Sequence, residues 1–222
     1  MTTTPRRFRT RVIELRRLSE SGYELTFERR GLAFEAGRLI TVHGREPTED
    51  RSYTIASGER DEHLQILFRH IPAGKLTPQL VRLQPGDEIE ISGPYGEFVI
   101  RDPLQPIVFV ATGTGVAPCR AYVRTHPDLR LTLVHGVRVA QDLFYREEFA
   151  RFAYHPCVTR EEGVGFHGRV TQFLEDFPLD PSNHFHLCGA NEMIFDLHVL
   201  LKKRGVAEDR IFTEAYYYRL HS

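Results

Sequence analysis

The stretch RSYTIAS starts at Arg51 and is predicted to be a strand. Its first four residues carry a guanidinium group, hydroxyl groups and an aromatic ring. Alternation along a strand sends Arg51 and Tyr53 to one face, and Ser52 and Thr54 to the other. A packed core has no use for a guanidinium group, and a solvent-facing surface has little use for a ring. The pattern therefore favours a binding face for a ligand that is part anion and part flat heterocycle.

A glycine-rich stretch, TGTGVAP, starts at Thr112, follows an apolar strand and opens a predicted helix. Its glycines let the backbone approach a pyrophosphate, and the helix N-terminus supplies amide groups and a favourable dipole. The stretch is not a P-loop, because Lys-Ser/Thr is missing, and the third glycine of the Rossmann fingerprint is replaced. A strand–helix turn without a ligand remains the alternative.

The stretch PAGKLTPQL offers a second phosphate cradle. Gly74 to Thr77 lead into a predicted helix, for which Thr77 is expected to be the N-cap and Pro78 the first helical residue. A well-formed helix start without a ligand explains the stretch equally well. Together with Arg51, however, this helix N-terminus could hold one pyrophosphate.

Composition limits the classes to which the chain can belong. Its 222 residues allow one large domain or two of ordinary size, and 41% hydrophobic residues are enough for a core. A net charge of -1 argues against a general nucleic-acid binder. No apolar run is long enough to cross a membrane, and the first residues do not resemble a secretory signal. The three cysteines show no paired or metal-binding spacing, so we expect a cytoplasmic protein without disulfides or a bound metal.

The charge is uneven along the chain, because arginine is concentrated at positions 6, 7, 9, 11, 16 and 17. Such a cluster is usually a solvated basic face. Electrostatic docking of an acidic partner is the alternative that stays open.

The first hundred residues predict short strands with polar or glycine-containing turns between them. Tyr23, Leu25 and Phe27 alternate with polar residues, and further strands are expected at 39–43, 51–56, 63–68, 88–92 and 98–100. About six short strands and one short helix indicate a small antiparallel β-barrel.

The second part of the chain alternates strands with helices. Apolar strands are expected at 106–111, 131–135, 156–159, 184–188 and 210–215, and helices after TGTGVAP and at 140–152, 169–177 and 191–204. Apolar strands in this alternation predict an α/β domain with a doubly wound, five-stranded parallel sheet covered on both faces. The change of pattern near Asp102 predicts two domains, residues 1–102 and 103–222.

Six motifs occur in an order and spacing that resemble a known family: RSYTIAS, GKLTPQL, GTGVAP, LVHGVR, VTRE and LCGANEM. Over essentially the whole chain they are similar to the ferredoxin–NADP reductase superfamily, with the closest resemblance to bacterial ferredoxin/flavodoxin–NADP reductases. The resemblance implies an N-terminal FAD-binding barrel and a C-terminal NADP-binding domain. It implies that hydride passes from NADPH to FAD across the domain cleft and that electrons leave singly to ferredoxin or flavodoxin. We also expect a monomer.

The resemblance assigns residues to the flavin. In the family, the arginine at the position of Arg51 binds the FAD pyrophosphate. The family's ring at the position of Tyr53 packs on the isoalloxazine, and the hydroxyl at the position of Thr54 lies near the reactive nitrogen of the flavin. A tyrosine packed in the core is the alternative for Tyr53. The remaining matches around the flavin and its phosphates are Ser52, His70, Ile71, Gly74, Lys75, Leu76 and Thr77.

The choice of nicotinamide cofactor depends on what meets the 2′ position of its ribose. An NAD site places an acidic residue there, whereas NADP sites supply arginines. By resemblance, Thr159, Arg160 and Arg169 match the group around the 2′-phosphate, and Arg138 matches a phosphate-binding residue. Solvated arginines are the alternative, but three at matching places favour NADPH. The predicted nucleotide site is completed by the loop residues Thr112, Gly113, Thr114 and Gly115.

A cysteine–glycine pair lies near the predicted site of hydride transfer. Cys188 and Gly189 match a pair whose thiol sits close to the nicotinamide carbon that gives up hydride, although a buried structural cysteine is as good an explanation. Cys119 and Cys157 have no such match and are expected to be structural.

The C-terminal stretch TEAYYYRLHS contains the last matches. Glu214 matches an acid that supports charge and proton balance around the flavin, and Tyr216 or Tyr217 matches the ring that covers the flavin and must yield to the nicotinamide. The chain departs from the family here, because it continues to Ser222.

Three alternatives stay open for the function. A reductase subunit that serves an oxygenase and a free-flavin reductase would both use these cofactors, whereas a non-enzymatic FAD-binding redox sensor would have lost turnover with NADP. The sequence has no cysteine set for a fused iron–sulfur domain, so we expect the acceptor to be a separate protein.

Overall fold

The computed structural model describes residues 6–216, and contacts divide the chain into two compact units. The first unit comprises the residues up to Ile100 together with Ala117–Pro127, and the second comprises Arg101–Val116 and the residues from Asp128 onward. By its contacts, the helix that follows TGTGVAP therefore belongs to the first unit, although the strand before it belongs to the second.

The first unit is built on six antiparallel strands, which hydrogen-bond in the order β4-β3-β6-β1-β2-β5. Among the described residues, an isolated bridge between Ile55 and Ile66 connects the end of β4 with β5, the other edge strand. The predicted antiparallel barrel is confirmed, and this bridge closes it. The strands are β1 (Arg6–Arg17), β2 (Gly22–Glu28), β3 (Leu39–His43), β4 (Arg51–Thr54), β5 (His63–Arg69) and β6 (Glu88–Tyr95), with helix α1 (Thr77–Leu80) before β6.

The strand content differs from the prediction at two places. Residues 98–100 are not in a strand, and the arginine-rich segment forms β1, which was not expected. Thr10 and Val12 of β1 are buried while the arginines between and beside them are exposed. The alternation typical of a strand is therefore present up to Val12, but an irregularity between Val12 and Glu14 interrupts it, so the full strand does not stand out in the sequence.

Three of the N-terminal arginines have acidic partners on the strands next to β1: Arg7 and Arg9 on β6, and Arg16 on β2. Arg7 lies 2.7 Å from the carboxylate of Glu90, and Arg9 lies 3.8 Å from that of Glu88. The basic face expected from the sequence is thus partly neutralised by the β1–β6 pairing.

Glu24 departs from the alternation expected for β2, because its side chain is buried. Its carboxylate accepts hydrogen bonds from Arg16 at 2.9 Å and from Arg120 of helix α2 (Ala117–Thr125) at 3.0 Å. The hydroxyl of Tyr122 in the same helix donates to the carbonyl oxygen of Phe98 at 2.6 Å. Helix α2 thus reaches the face of β2 that a period-two prediction leaves to solvent.

The second unit contains a sheet of six strands in the order β10-β9-β8-β7-β11-β12, and every neighbouring pair is parallel. The predicted parallel α/β sheet is confirmed with one strand more than expected, because the two-residue strand β10 is too short to show a pattern. The strands are β7 (Ile107–Thr112), β8 (Leu131–Val137), β9 (Ala153–Val158), β10 (Phe166–His167), β11 (His184–Gly189) and β12 (Ile211–Ala215).

The helices of this unit are α3 (Arg146–Phe149), α4 (Val170–Asp176) and α5 (Asn191–Lys203). The last two share one buried cluster with apolar residues of the sheet. The helix expected over 140–152 is instead a 3₁₀ turn at Ala140–Asp142 followed by α3, with the backbone left-handed in between. Leu143, Phe144 and Phe149 are all buried, and their spacing does not fit one face of a continuous helix.

Candidate functional site

The edge strands β4 and β5 leave an unpaired stretch between them, which we call the barrel opening. These strands meet at the Ile55–Ile66 bridge, and before it β4 pairs only with β3 among the described residues. The ring of Tyr53 is half-buried and contacts Phe68 of β5 edge-on, with ring centroids 6.2 Å apart. Thr54, next to the bridge, is buried, whereas Arg51 and Ser52 at the start of β4 are exposed.

Arg51 is the first residue of β4, at the end away from the bridge, and is exposed. Its guanidinium group donates to the backbone carbonyl oxygens of Thr48 at 3.2 Å and Asp50 at 2.6 Å. Ser52, beside it, is also exposed, and its hydroxyl lies 3.2 Å from that of Thr41. The guanidinium group is therefore held by the turn that precedes the strand.

A side-chain network fixes that turn. One carboxylate oxygen of Asp50 lies 2.7 Å from Nδ1 of His43, and the other accepts the amide of Gly44 at 3.0 Å. The far nitrogen of His43 lies 2.9 Å from the hydroxyl of Ser92. Burial opposes ionisation of Asp50, but the hydrogen bond with His43 prevails and lowers the pKa of this carboxyl.

The second predicted cradle is a compact loop instead of a helix N-terminus. Thr77 is the first residue of α1 and not its N-cap, which corrects the prediction. Its hydroxyl accepts the amide of Ile71 at 3.0 Å and donates to the carbonyl oxygen of the same residue at 3.2 Å. Gly74 lies inside this loop, where a side chain would press on the Ile71 carbonyl. Because α1 is a single turn, it supplies no macrodipole of consequence for a phosphate.

The loop and the start of β4 are neighbours. The side-chain amide of Gln79 donates to the carbonyl oxygen of Lys75 and to the carboxylate of Glu49, both at 2.9 Å. Lys75 is exposed, and Ile71 exposes 39% of its surface although it is apolar. His70 is half-buried, whereas Leu76 lies in the barrel core.

These residues fit a ligand that combines phosphates with a flat ring. Arg51 and Lys75 supply cationic donors, and Tyr53 and Ile71 supply aromatic and apolar surface around the same opening. Guanidinium and ammonium groups are the usual protein donors for a pyrophosphate. The donor set therefore matches the chemistry of FAD.

The glycine-rich loop of the second unit ends β7 at the carboxyl edge of the sheet. Residues Gly113–Val116 form a 3₁₀ turn, and Gly113 has a left-handed φ of 54°. A Cβ atom on Gly115 would collide with the carbonyl group of Cys188, and one on Gly189 would collide with the hydroxyl of Thr112. Two of these glycines are therefore needed for the close approach of β7 and β11, whether or not a ligand binds.

The loop is also tied to its neighbours by side chains. The hydroxyl of Thr112 accepts the amide of Ala190 at 3.0 Å. Nε2 of the fully buried His135 lies 3.0 Å from the carbonyl oxygen of Gly113. Burial lowers the pKa of His135 to about 4 although the bond to Gly113 opposes this. The sequence prediction missed His135. Only its place in the motif LVHGVR points to it, and from that motif the prediction names Arg138 alone as a binding residue.

Two of the predicted 2′-phosphate residues, Thr159 and Arg160, lie beside the end of β8 and Arg138. The amide of Arg160 donates to the carbonyl oxygen of Arg138 at 2.9 Å, and that of Thr159 donates to Val137 at 3.1 Å. Arg138, Thr159 and Arg160 are exposed, whereas Val137 is buried. Arg169, just before α4, is also exposed. Among residues 6–216, none of the three arginines forms an ion pair.

Cys188 and Glu214 are register partners in β11 and β12. The thiol of Cys188 is buried and donates to a carboxylate oxygen of Glu214 at a distance of 3.9 Å. The amide of Tyr216 donates to the carbonyl oxygen of Gly189 at 2.8 Å, which extends the β11–β12 pairing. Tyr217, the other predicted covering residue, lies outside the described residues.

The other two cysteines are buried, and burial raises the pKa of both thiols, that of Cys157 to about 12. In the part of the chain that the structure describes, no cluster of three or more His, Cys, Asp or Glu side chains could hold a metal ion. In the same part, every helix is too short or too polar to cross a membrane.

Comparison with known families gives two matches, one in each part of the chain. Residues 12–100 match the oxidoreductase FAD-binding domain, and residues 109–198 match the oxidoreductase NAD-binding domain. The site residues described above lie within these two ranges, apart from Glu214 and the tyrosines that follow it.

Curated relatives are reductase components. The chain is 26% identical to the electron transfer component of toluate 1,2-dioxygenase from Pseudomonas putida, over 94% of this chain and 67% of the relative. It is 30% identical to the reductase subunit of an aromatic O-demethylase from Amycolatopsis, over 83% of this chain and 61% of the relative. A third relative, one component of a Na⁺-translocating NADH-quinone reductase from Psychrobacter cryohalolentis, is 28% identical over 65% of this chain and 40% of its own length. The chain thus spans only part of each relative.

Solved structures show the same fold. A cytochrome P450 reductase from Amycolatopsis aligns with a TM-score of 0.87 and 26% identity, over 96% of this chain and 71% of that one. A ferredoxin NADP⁺ reductase from Neisseria gonorrhoeae aligns with a TM-score of 0.87 and 20% identity, over 95% of this chain and 99% of that one. With an FAD-binding domain followed by a domain for a nicotinamide dinucleotide, this chain is an oxidoreductase that belongs to the ferredoxin–NADP reductase superfamily.

Proposed function

We propose that this chain moves electrons from NADPH through FAD to a separate acceptor of the ferredoxin or flavodoxin type. Residues 1–102 would form the FAD-binding domain and residues 103–222 the NADP-binding domain. The observation that carries the choice of NADPH is the group of exposed arginines at the carboxyl edge of the parallel sheet, Arg138, Arg160 and Arg169.

The position of Arg138 supports NADPH over NADH. It follows β8, the strand next to the glycine-rich loop, at the place where NAD enzymes carry an acid for the ribose hydroxyls. Nearby Glu161 is engaged elsewhere, because its carboxylate accepts the amide of Ala140 at 2.6 Å. Exposed guanidinium groups without a carboxylate partner favour a phosphate over a hydroxyl.

On the flavin side, Arg51 would bind the pyrophosphate, since the turn before β4 already holds its guanidinium group. Tyr53 would pack on the ring system, and Thr54 would contact its reactive edge. Ser52 and the loop from His70 to Thr77 would complete the pocket. Bound FAD would supply the conversion between a two-electron hydride donor and a one-electron acceptor, which no side chain provides.

Cys188 and Glu214 would act at the nicotinamide end. The Glu214 carboxylate accepts the Cys188 thiol hydrogen, which fixes the orientation of the sulfur. The small side chain of Cys188 would let the nicotinamide approach the flavin closely. Glu214 would support the charge and proton balance around the flavin. Tyr216 or Tyr217 would cover the flavin until the nicotinamide arrives.

Steady-state kinetics test the choice of cofactor. Arg160→Ala and Arg169→Ala should each raise KM for NADPH and leave kcat/KM for NADH nearly unchanged, because NADH lacks the group that these side chains would bind. Lys203→Ala removes an exposed cation from the end of α5 and should change neither value. Parallel losses with both cofactors would show that the arginines do not read the 2′-phosphate.

A reductase component of an oxygenase is the second candidate, and the names of two relatives favour it. A free-flavin reductase and a non-enzymatic redox sensor are weaker alternatives. Bleaching of the flavin by NADPH in a stopped-flow experiment would exclude the sensor. Turnover with a panel of ferredoxins, flavodoxins and free FMN would then identify the class of acceptor.

Electrostatic docking of the acceptor can be measured separately. With Arg7 and Arg9 paired to glutamates, β1 offers less free positive charge than its sequence suggests. If β1 nevertheless steers an acidic acceptor, electron transfer should slow as salt rises and when Arg6 and Arg11 are neutralised. Reduction of ferricyanide should stay constant in the same series, since it does not need protein docking.

A further inference from the structure

One peptide group of the glycine-rich loop is held by a buried side chain. The carbonyl oxygen of Gly113 lies 3.0 Å from Nε2 of His135, in the middle of the second unit. A carbonyl oxygen can only accept, so Nε2 carries the hydrogen and donates it. Nδ1 of the neutral ring is then an acceptor, and the hydroxyl of Tyr154 on β9 lies 3.4 Å from it. Tyr154, His135 and Gly113 thus form a chain with one consistent direction of donation.

This chain of hydrogen bonds determines where the next amide points. The carbonyl of Gly113 and the N–H of Thr114 belong to one planar trans peptide, and they point in opposite directions. Holding the carbonyl oxygen against His135 therefore directs the Thr114 N–H away from His135. Gly113 is left-handed, with φ 54° and nothing within 4 Å of the position where its Cβ would lie. Gly113 opens the 3₁₀ turn Gly113–Val116, so the His135 bond adds a side-chain contact to the backbone bonding that already orients this peptide.

We propose that His135 is a positioning residue for the dinucleotide: its hydrogen bond holds the Gly113–Thr114 peptide so that the Thr114 amide faces the bound nucleotide. The proposal rests on the proposed function, in which this loop cradles the phosphates. It differs from the role of the arginines, because the pyrophosphate is common to NADH and NADPH. Loss of the His135 contact should therefore weaken both cofactors by the same factor.

Packing alone is the competing explanation, since a fully buried histidine also fills space. The sheet offers a matched control in His186, which is fully buried on β11 and stacks on Phe109 and Phe212. Replacing either histidine with phenylalanine keeps a ring in the core and removes the imidazole nitrogens. His135 donates a hydrogen bond to the glycine-rich loop, whereas the ring contacts of His186 lie within the sheet, so only the replacement of His135 should change nucleotide affinity.

Titration of the FAD-loaded protein with NAD⁺ and NADP⁺, followed by flavin absorbance, tests the proposal. His135→Phe should raise Kd for both nucleotides by about five- to tenfold, the size expected for loss of one positioning hydrogen bond. His135→Gln can place an amide donor near the Nε2 position and should stay within about twofold of the wild type. His186→Phe should leave both values unchanged. FAD content and melting temperature are measured for every variant.

The outcomes separate this proposal from the proposed function. A wild-type protein that binds neither nucleotide would refute the proposed function itself. Wild-type affinity in His135→Phe, or equal losses in His135→Phe and His186→Phe, would overturn only the role of His135. Long-range ¹H–¹⁵N NMR of the wild type gives a readout without any variant or nucleotide. The Nε2–H form of His135 near pH 7 supports the proposal, and the Nδ1–H form overturns it even if His135→Phe does not fold.

Discussion

Two buried histidines should make this protein sensitive to mild acid. Burial lowers the pKa of His186 to about 3, and His184 nearby adds to the effect. Burial likewise lowers the pKa of His135 to about 4, although the Gly113 carbonyl and Asp142 oppose it. The ring centroids of Phe109 and Phe212 lie 6.2 and 4.7 Å from that of His186, so protonation would place a charge between aromatic rings.

The direction in which stability changes with pH follows from these lowered pKa values. Both groups take up a proton readily in the unfolded chain, near the ordinary pKa of 6.5, and reluctantly in the folded protein. Their full contribution to stability is therefore present above pH 6.5 and is lost as the pH falls toward the folded values. Each pH unit inside this window costs about 1.4 kcal/mol per histidine. Going from about pH 7.5 to pH 5 should cost about 2 kcal/mol for each, or about 4 kcal/mol together.

Chemical denaturation of the FAD-loaded protein at these two pH values measures the effect. His186→Phe should lose about 2 kcal/mol less than the wild type between them, whatever its stability at the higher pH. His63→Gln, at the partly exposed start of β5, is the control and should follow the wild type. Carboxylates titrate mostly below this range, so they contribute little. The reasoning is refuted if His186→Phe loses as much stability as the wild type.

Three further variants test other parts of the structure. Arg51→Ala should weaken FAD by about 2–3 kcal/mol and FMN far less, because FMN lacks the pyrophosphate; flavin titration of the apoprotein, with exposed Arg45→Ala as control, checks this, and equal weakening would remove Arg51 from that role. Arg120→Met should lower the free energy of unfolding by about 3–5 kcal/mol, because it removes a partner of the buried Glu24 carboxylate. The double variant with Glu24→Leu should regain more than half of this loss, and a single-variant loss below about 1 kcal/mol would contradict the role of the pair. Removing residues 216–222 takes away both candidate covering rings and should tighten NADP⁺, because a covering ring reduces the time for which the site is open; unchanged affinity with FAD retained would show that the tail does not compete.

Local patterns predicted much of the architecture. The apolar runs of β7, β8 and β11 and the turns between the barrel strands show in the sequence, because each depends on burial or chain reversal within a few residues. The motifs that predicted the flavin-binding and nucleotide-binding residues are also short stretches, so they too show in the sequence. They did not reveal β1, since its apolar residues lose strict alternation at Val12 and Ile13, where the pairing with β2 is irregular. They also misplaced the start of α1, where the Thr77 hydroxyl bonds across the loop to Ile71 rather than to its own helix.

What the sequence determined by itself is the set of elements and the residue types at their ends, because periodicity and turn chemistry are local properties. Only the tertiary structure decided which partners those residues have. Glu24 is buried because a helix nearly a hundred positions away brings Arg120 to it. His135 reaches the Gly113 carbonyl because β7 and β8 are parallel neighbours, so residues distant in the chain end at one edge. Such contacts depend on strand order and register, which are set by the packing of the whole sheet and leave no signature in a short stretch of sequence.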